Sequence, residues 1–412
     1  MAAGDIEGTG SAAGNGAARR TRPAATLSLP VTLLVLGLAY WSVDTTSPAL
    51  PVIRDSLGLS ATGAGLIASL FFFGRLVTNL PAAILIERRG PRLTAAVGAA
   101  LLGIGSAMAA IASSDTVLLA ARAVQGAGVA FLATAGLLSV LRAMPRGGAA
   151  MTAFNVSAGL GGNVGIIAGS ALTASLGWRA IFWQCVVLAV VILVAVAIVR
   201  PSVGRKRVRP AVEIADESPV AVPLTSPAVV AALLANLLVY VNYAIWVVSL
   251  PLFAAVRFDA GPGEIGQLLL VINTIHLVGA FPVGAVIRRW GGVVSLAVGF
   301  ALVATGMVTT VLAPSPGWLL LPMALYALGA VAGNSAAGDL LLRLGGGGGR
   351  AVGMVRLSSD IGMVLGPVAA GALADAAGVT APFVVLAALS AAGAVVAGGA
   401  LLGRARRASL PA

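Results

Sequence analysis

Residues 70–90 read LFFFGRLVTNLPAAILIERRG, and residues 271–291 read VINTIHLVGAFPVGAVIRRWG. Laid over each other without a gap, at an offset of 201, they pair Leu76, Val77, Pro81, Ile86, Arg88 and Gly90 with Leu277, Val278, Pro282, Ile287, Arg289 and Gly291. Gly165 falls on Gly366 at the same offset, and Leu50-Pro51 falls on Leu250-Pro251 at an offset of 200. Six identities in one stretch can arise from composition. A shared offset over three pairs of segments points instead to a duplicated chain.

The repeated segments are apolar runs, and such runs recur from end to end. The 412 residues are 59% hydrophobic and 10% charged, with a mean hydropathy of +1.01. A soluble domain carries roughly a quarter charged residues. Runs of about 20 apolar residues suffice to cross a bilayer core as helices. Twelve are read: 28–50, 64–86, 93–113, 117–141, 149–173 and 179–199, then 228–256, 265–287, 293–313, 318–341, 352–374 and 381–403. The expected fold class is an all-α membrane protein, with a first six-helix bundle over 27–199 and a second over 228–403. Residues 200–227, charged and Pro-rich, read as a cytoplasmic linker. Residues 1–26 are too poor in apolar side chains to fold alone and are expected to form a disordered cytoplasmic tail, with 404–412 as a second tail. The run after residue 26 is too long, and lacks a small-residue cleavage site, to be a signal peptide.

Charge gives the orientation. With the N-terminus in the cytoplasm, twenty of the 26 basic residues fall in inner segments, three (Arg54, Arg179, Arg257) in outer loops, and three (Arg75, Arg122, Arg356) inside spans. The positive-inside rule therefore places both termini in the cytoplasm. The cell (inner) membrane is the expected location. The net charge of +12 is spread over many loops, so no nucleic-acid partner is expected. A monomer in the lipid bilayer, with a small-molecule substrate, is expected.

Two parallel six-span halves with a site between them are a transporter architecture. The motifs agree. AILIERRGPR at 83–92 resembles the loop signature G-x-x-x-D-R-x-G-R-R of the major facilitator superfamily, with Glu87 for the Asp and Arg88, Gly90 and Arg92 in place; Ala83 and Pro91 depart from it. The second-half copy, GAVIRRWGG, keeps Gly284, Arg289 and Gly291. RAVQGAG in span 4, with Arg122, Gln125, Gly126 and Gly128, resembles that family's R-x-x-x-G-x-G. DTTSPALP, starting at Asp44, resembles the first-span motif of the twelve-span drug:proton antiporters. The resemblance covers nearly the whole chain and implies two pseudo-symmetric bundles. One departure stands: where the antiporters carry Gly-Pro in span 5, Gly165 is followed by Ile166. Gly161, Gly165 and Gly169 remain for close packing, and the Gly-Pro pair appears in span 11 as Gly366-Pro367.

Asp44 is a lone carboxylate inside span 1, and its symmetry counterpart is Ala244. A charge at mid-span costs roughly 2.5–3.5 kcal/mol on insertion scales, so it faces a cavity or a partner. Such a group suits a proton carrier, and the resemblance makes Arg122 its expected partner. The alternative is a structural ion pair. Arg75 lies on span 2, and its counterpart at offset 201 is His276, the sole histidine. The two could clamp an anion; alternatively Arg75 serves Asp44 and His276 is a neutral hydrogen-bonder. Arg356 and Asp360, four apart on span 11, are expected to neutralise each other and to act in structure or gating. The resemblance puts Glu87 near the start of span 11, as a latch at the helix dipole. RLGGGGGR, 343–350, reads as a flexible hinge loop. Tyr40, Trp41, Asn79, Tyr240, Asn242, Tyr243, Trp246 and Asn273 are cavity candidates, with Asn155, Asn163, Asn236, Tyr326 and Asn334 as further polar residues within spans.

Enzyme classes find little. The one lysine, Lys206, lies in no phosphate-binding loop, and one His and one Cys on different spans do not make a zinc or Cys-His site. Cys185 alone cannot form an internal disulfide. Neither a metal nor a cofactor is expected; a proton gradient is the expected energy source. The sequence reads as a proton-coupled secondary transporter working by alternating access, exporting drug-like or natural-product molecules. The alternative is a carrier of small organic or inorganic anions.

Overall fold

A computed structural model describes the backbone of residues 27–144, 147–198, 222–345 and 349–408; the side chains of 147–149, 244–246, 349–352 and 400–408 fall outside it. The expected tail 1–26, most of the linker and the side chain of Trp246 therefore lie outside the described residues.

The described chain is helical throughout. The first half holds α1 (Leu29–Asp44), α2 (Leu50–Leu57), α3 (Ala61–Ala110), α4 (Asp115–Ala143), α5 (Gly147–Leu176) and α6 (Arg179–Ile198). The second holds α7 (Pro227–Phe258), α8 (Pro262–Trp290), α9 (Gly292–Val311), α10 (Leu320–Leu344), α11 (Gly349–Ala377) and α12 (Ala381–Ala408). Among the described residues, eleven helical segments are long and apolar enough to cross a membrane. One of them, α3, has 50 residues and turns at Gly90 (φ 81°, ψ 173°), so it makes two crossings. That gives twelve crossings among the described residues of a multi-pass membrane protein.

The duplication is written into the turns. Positive φ occurs at Gly58 and Asp259, at Gly90 and Gly291, and at Gly177 and Gly378, each pair 201 residues apart. Only glycine takes this region without cost, and Asp is among the few side chains that tolerate it. Packing repeats at the same interval. Gly98 lies against the Gly128 carbonyl, and Gly299 against the Gly329 carbonyl, so in each half two helices touch backbone to backbone.

One element breaks the symmetry. α7 is continuous, but its partner in the first half stops at Asp44, passes through a short 3₁₀ turn at Ser47–Ala49 and resumes as α2. Pro48 and Pro51 both lack the N–H that a continuous helix needs. α7 has only Pro251 in its interior, with Val248 where Pro48 would fall. The break puts the lone carboxylate at a helix end.

The helix ends form two faces. Arg88, Arg89, Arg92, Arg288, Arg289 and Arg343 lie at one, here the basic face; Arg54, Arg179 and Arg257 lie at the other. The halves meet along two antiparallel seams that start at the opposite face. In the first, α3 packs on α11: Asp375 accepts from the Ala61 and Thr62 amides (2.8 and 2.9 Å) and the Thr62 hydroxyl (2.6 Å). Deeper, the Val368 amide donates to Ser69 (3.1 Å), and Gly65 abuts the Pro367 carbonyl. In the second, α5 packs on α8, through Gly266 against Ser170, Asn163 with Thr274, and Gly159 against Leu277. The hydrogen bonds and close packing described for the two seams run from Ala61 and Gly266 as far as Asn79 and Leu277. This conformation is closed at the opposite face.

Candidate functional site

A cavity of about 310 Å³ lies between the halves. α1 brings Tyr40, Val43 and Asp44; the unwound turn brings Thr46 and Ser47; α3 brings Ile67, Phe71, Phe72 and Arg75. Arg122, Phe154, Asn155, Tyr240, Tyr243 and Met363 complete much of the wall. The lining is mostly aromatic and aliphatic, with a few charged groups in it.

Asp44 sits where three elements converge. The Asn273 side-chain amide of α8 faces its carboxylate, and the Gly162 Cα of α5 lies directly beneath an Asp44 oxygen. A methyl group at 162 would strike that oxygen. Below it, Gly161, Gly165 and Gly169 rest on the Gly37, Trp41 and Thr45 carbonyls, so the α5 glycines set how closely α1 and the carboxylate approach. Asp44 has no cation within ion-pair distance among the described residues.

The expected Asp44–Arg122 pair is thus not formed. Arg122 lines the same cavity but donates to the Ile67 carbonyl (3.2 Å) and to Gln125 (2.8 Å), and stacks on Phe71 at 4.5 Å. Gln125 in turn donates to Ser106 (2.8 Å). A carbonyl, an amide and a ring face satisfy a guanidinium without a carboxylate, because its planar fork hydrogen-bonds and stacks at once.

The pairing expected within span 11 is also replaced. Asp360 accepts from Arg75 (2.6 Å) and from Asn79 (2.6 Å), both on α3, while Arg356 is exposed and forms no ion pair with it. A tertiary partner across the halves outcompetes the i,i+4 neighbour, because α3 and α11 pack tightly and bury the carboxylate between them. Arg75 therefore serves Asp360, not Asp44. The anion clamp is not assembled either. Arg75 is neutralised, and His276 packs its ring on Tyr243 (centroids 6.0 Å apart) outside the cavity lining.

Other expected residues divide between cavity and packing. Tyr40, Tyr240, Tyr243 and Asn155 line the cavity, and Asn273 borders Asp44. Asn242 donates to Ser390 (3.0 Å), and Asn236 to Ser358 and Ser359, which tie α7 to α12 and α11. Asn163 lies on the α5–α8 seam, Trp41 backs onto Gly165 through its carbonyl, and Tyr326 is buried in the core of the second half. Asn334 is half-buried in α10 and outside the cavity lining. Glu87, Arg88, Arg289 and Gly291 are exposed at the basic face, and Glu87 makes no hydrogen bond or ion pair among the described residues. Arg92 instead donates to the Ala197 carbonyl at the end of α6 (2.7 Å). Gly366 and Pro367 sit on the α3–α11 seam.

Sequence reasoning missed Asp375, Gly162 and the cavity aromatics Phe71, Phe72 and Phe154. Asp375 looked like the tail of an apolar run, and Gly162 stands one place from the glycines of the spacing that drew attention.

The family model described as Major Facilitator Superfamily matches residues 32–347. The MFS-type transporter Rv1250 of Mycobacterium tuberculosis is 29% identical over 173 residues, which is 41% of this chain and 30% of that protein. The multidrug resistance protein Stp of the same species is 29% identical over 160 residues, 38% of this chain and 30% of that protein. The matched region thus spans less than a third of the length of these relatives. Among solved structures, a bacterial homolog of the human lysosomal transporter Spinster, in an inward-facing and unoccupied conformation, superposes with a TM-score of 0.73 at 15% identity, covering 91% of this chain and 97% of that one. That likeness is one of fold.

Proposed function

The chain belongs to the major facilitator superfamily, a family of transporters rather than enzymes, and on that footing we propose that it is a proton-coupled exporter of drug-like or natural-product molecules. The observation that carries this reading is Asp44. It is a carboxylate at a helix break, in the wall of the central cavity, with an amide and no cation beside it. A bare buried charge costs several kcal/mol, roughly, unless a cation or a proton neutralises it. With no cation in contact, the proton is the group that can come and go. Asn273 belongs to the other half, so the surroundings of Asp44 change when the halves move. That couples proton occupancy to conformation.

The cavity supports the substrate class. Its volume, about 310 Å³, falls at the lower end of the range of roughly 300–1,000 Å³ for small-molecule sites, and aromatic walls favour lipophilic ligands. Multidrug transporters among the sequence relatives support the same reading. By the positive-inside rule the basic face is cytoplasmic, with both termini on that side of the inner membrane. The described conformation would then be the one that faces the cytoplasm. The protein works as a monomer, with the proton gradient as its energy source and no resident cofactor. The anion-carrier reading has less support, because the Arg75 charge is already taken by Asp360.

The test is a panel of fluorescent or radiolabelled substrates in proteoliposomes with an imposed pH gradient. The wild type should move lipophilic substrates against their gradient. Asp44→Asn should lose that movement and keep substrate exchange. Gradient-driven movement in Asp44→Asn equal to wild type would remove Asp44 from the coupling.

A further inference from the structure

A second cavity, of about 540 Å³, opens at the basic face between α3 and α6. Its walls are Leu93, Ala96, Leu193 and Val196, and its mouth carries Arg89 and Arg92. The groove sits where the first crossing of α3 turns into the second at Gly90 and where α6 ends at Ile198. The basic residues at these helix ends put the groove where the positive-inside pattern expects the headgroups of the inner leaflet.

The two arginines are held ready and left uncompensated. Arg92 is anchored by its bond to the Ala197 carbonyl, a helix C-terminal acceptor that fixes the guanidinium while leaving its other donors free. Arg89 is exposed, and neither arginine has a carboxylate within ion-pair distance among the described residues. Two guanidinium forks over an apolar trough match a phosphate with a chain attached.

The duplicated half supplies a comparison. At the offset of 201, Arg89 and Arg92 correspond to Trp290 and Val293, while Leu93 and Ala96 correspond to Val294 and Ala297. The apolar wall persists and the charges do not. A general need for basic residues near the inner surface does not explain that difference, since Arg288 and Arg289 stand at the matching turn.

We infer that this groove binds one anionic phospholipid, its phosphate on Arg89 and Arg92 and an acyl chain along Leu93, Ala96, Leu193 and Val196. Basic pockets between spans on the positively charged side recognise such headgroups. Filling the groove would tie α6 to the turn at Gly90.

Native mass spectrometry on the full-length protein, in detergent doped with phosphatidylglycerol or phosphatidylcholine, reads this directly. The wild type should retain one phosphatidylglycerol in preference to phosphatidylcholine. R89Q/R92Q should weaken that retention roughly thirtyfold, two charges at about 1 kcal/mol each. A96W, which fills the trough and keeps both arginines, should also weaken it, and R288Q/R289Q should not. A large excess of inorganic phosphate should not displace the lipid. The inference is overturned if the wild type does not distinguish the two lipids, if R288Q/R289Q loses as much as R89Q/R92Q, or if inorganic phosphate displaces the lipid completely. Should R89Q/R92Q fail to fold, A96W and the wild-type comparison still decide, and undiminished retention in A96W overturns the acyl-chain assignment.

Discussion

Arg75 and Asp360 meet across the two halves at 2.6 Å, roughly 21 Å along α3 from its start at the opposite face. The pair is partly shielded, with Arg75 21% exposed and Asp360 7%. It exists only while α3 and α11 are zipped together. A contact present in one conformation and absent in another biases the equilibrium by its own free energy.

Arg75→Ala should therefore favour the conformation in which the opposite face opens. Removing one partner of a buried pair costs about 3–5 kcal/mol, and the low end applies here because Arg75 is partly wet and Asn79 still binds Asp360. Cysteine-accessibility labelling at the two faces would read the shift. Arg75→Ala/Asp360→Ala should restore much of the balance, since it leaves no orphan carboxylate. Unchanged labelling in Arg75→Ala would show that the pair contributes nothing to the closed seam.

Asp375→Ala should act in the same direction. Its carboxylate takes two first-turn amides and a hydroxyl of α3, a cap supplied by the other half. Loss of a cap costs about 0.5–2 kcal/mol. Hydrogen exchange at residues 61–64 should rise in the variant while exchange in α9 and α10 stays as in the wild type. A uniform rise across both halves would point to general destabilisation instead.

Glu87→Ala should do the opposite. Glu87 is exposed and makes no hydrogen bond or ion pair among the described residues, so its removal breaks no polar contact in this conformation. If it latches a helix N-terminus once the basic face closes, the variant should rest more in the described conformation, by about 0.3–1 kcal/mol. Labelling at the basic face should then increase. A decrease would assign Glu87 some other role.

Gly162→Ala tests the seat of the carboxylate. The added methyl would displace Asp44 while leaving the charge and the proton in place. Gradient-driven transport should fall roughly tenfold, about 1.4 kcal/mol. Gly338→Ala, where a methyl meets open space, should not change transport. Equal activity in both variants would mean that Asp44 tolerates movement.

The spans and the duplication could be read from the sequence because both are written in local terms: apolar runs, and glycines that recur at a fixed interval. Gly90 and Gly291 were visible as letters before they were visible as turns. Partner choice was not legible. Arg356 stands four residues from Asp360, yet Arg75, 285 residues away, takes the carboxylate, because pairing follows which helices touch. Arg122 was misjudged for the same reason: nothing in RAVQGAG says that Gln125, Phe71 and a carbonyl will satisfy it. The break after Asp44 could have been foreseen, since Pro48 and Pro51 remove two donors within four residues.

The closed seam at the opposite face bears on pharmacology. Gly65, Ser69 and Asp375 hold α3 against α11 between that face and the cavity. A compound applied from that side must wait for the transporter to cycle. Inhibition from there would be use-dependent, slow to begin on idle protein and faster under load. A compound that crosses the bilayer first would reach the cavity from the basic face without that delay.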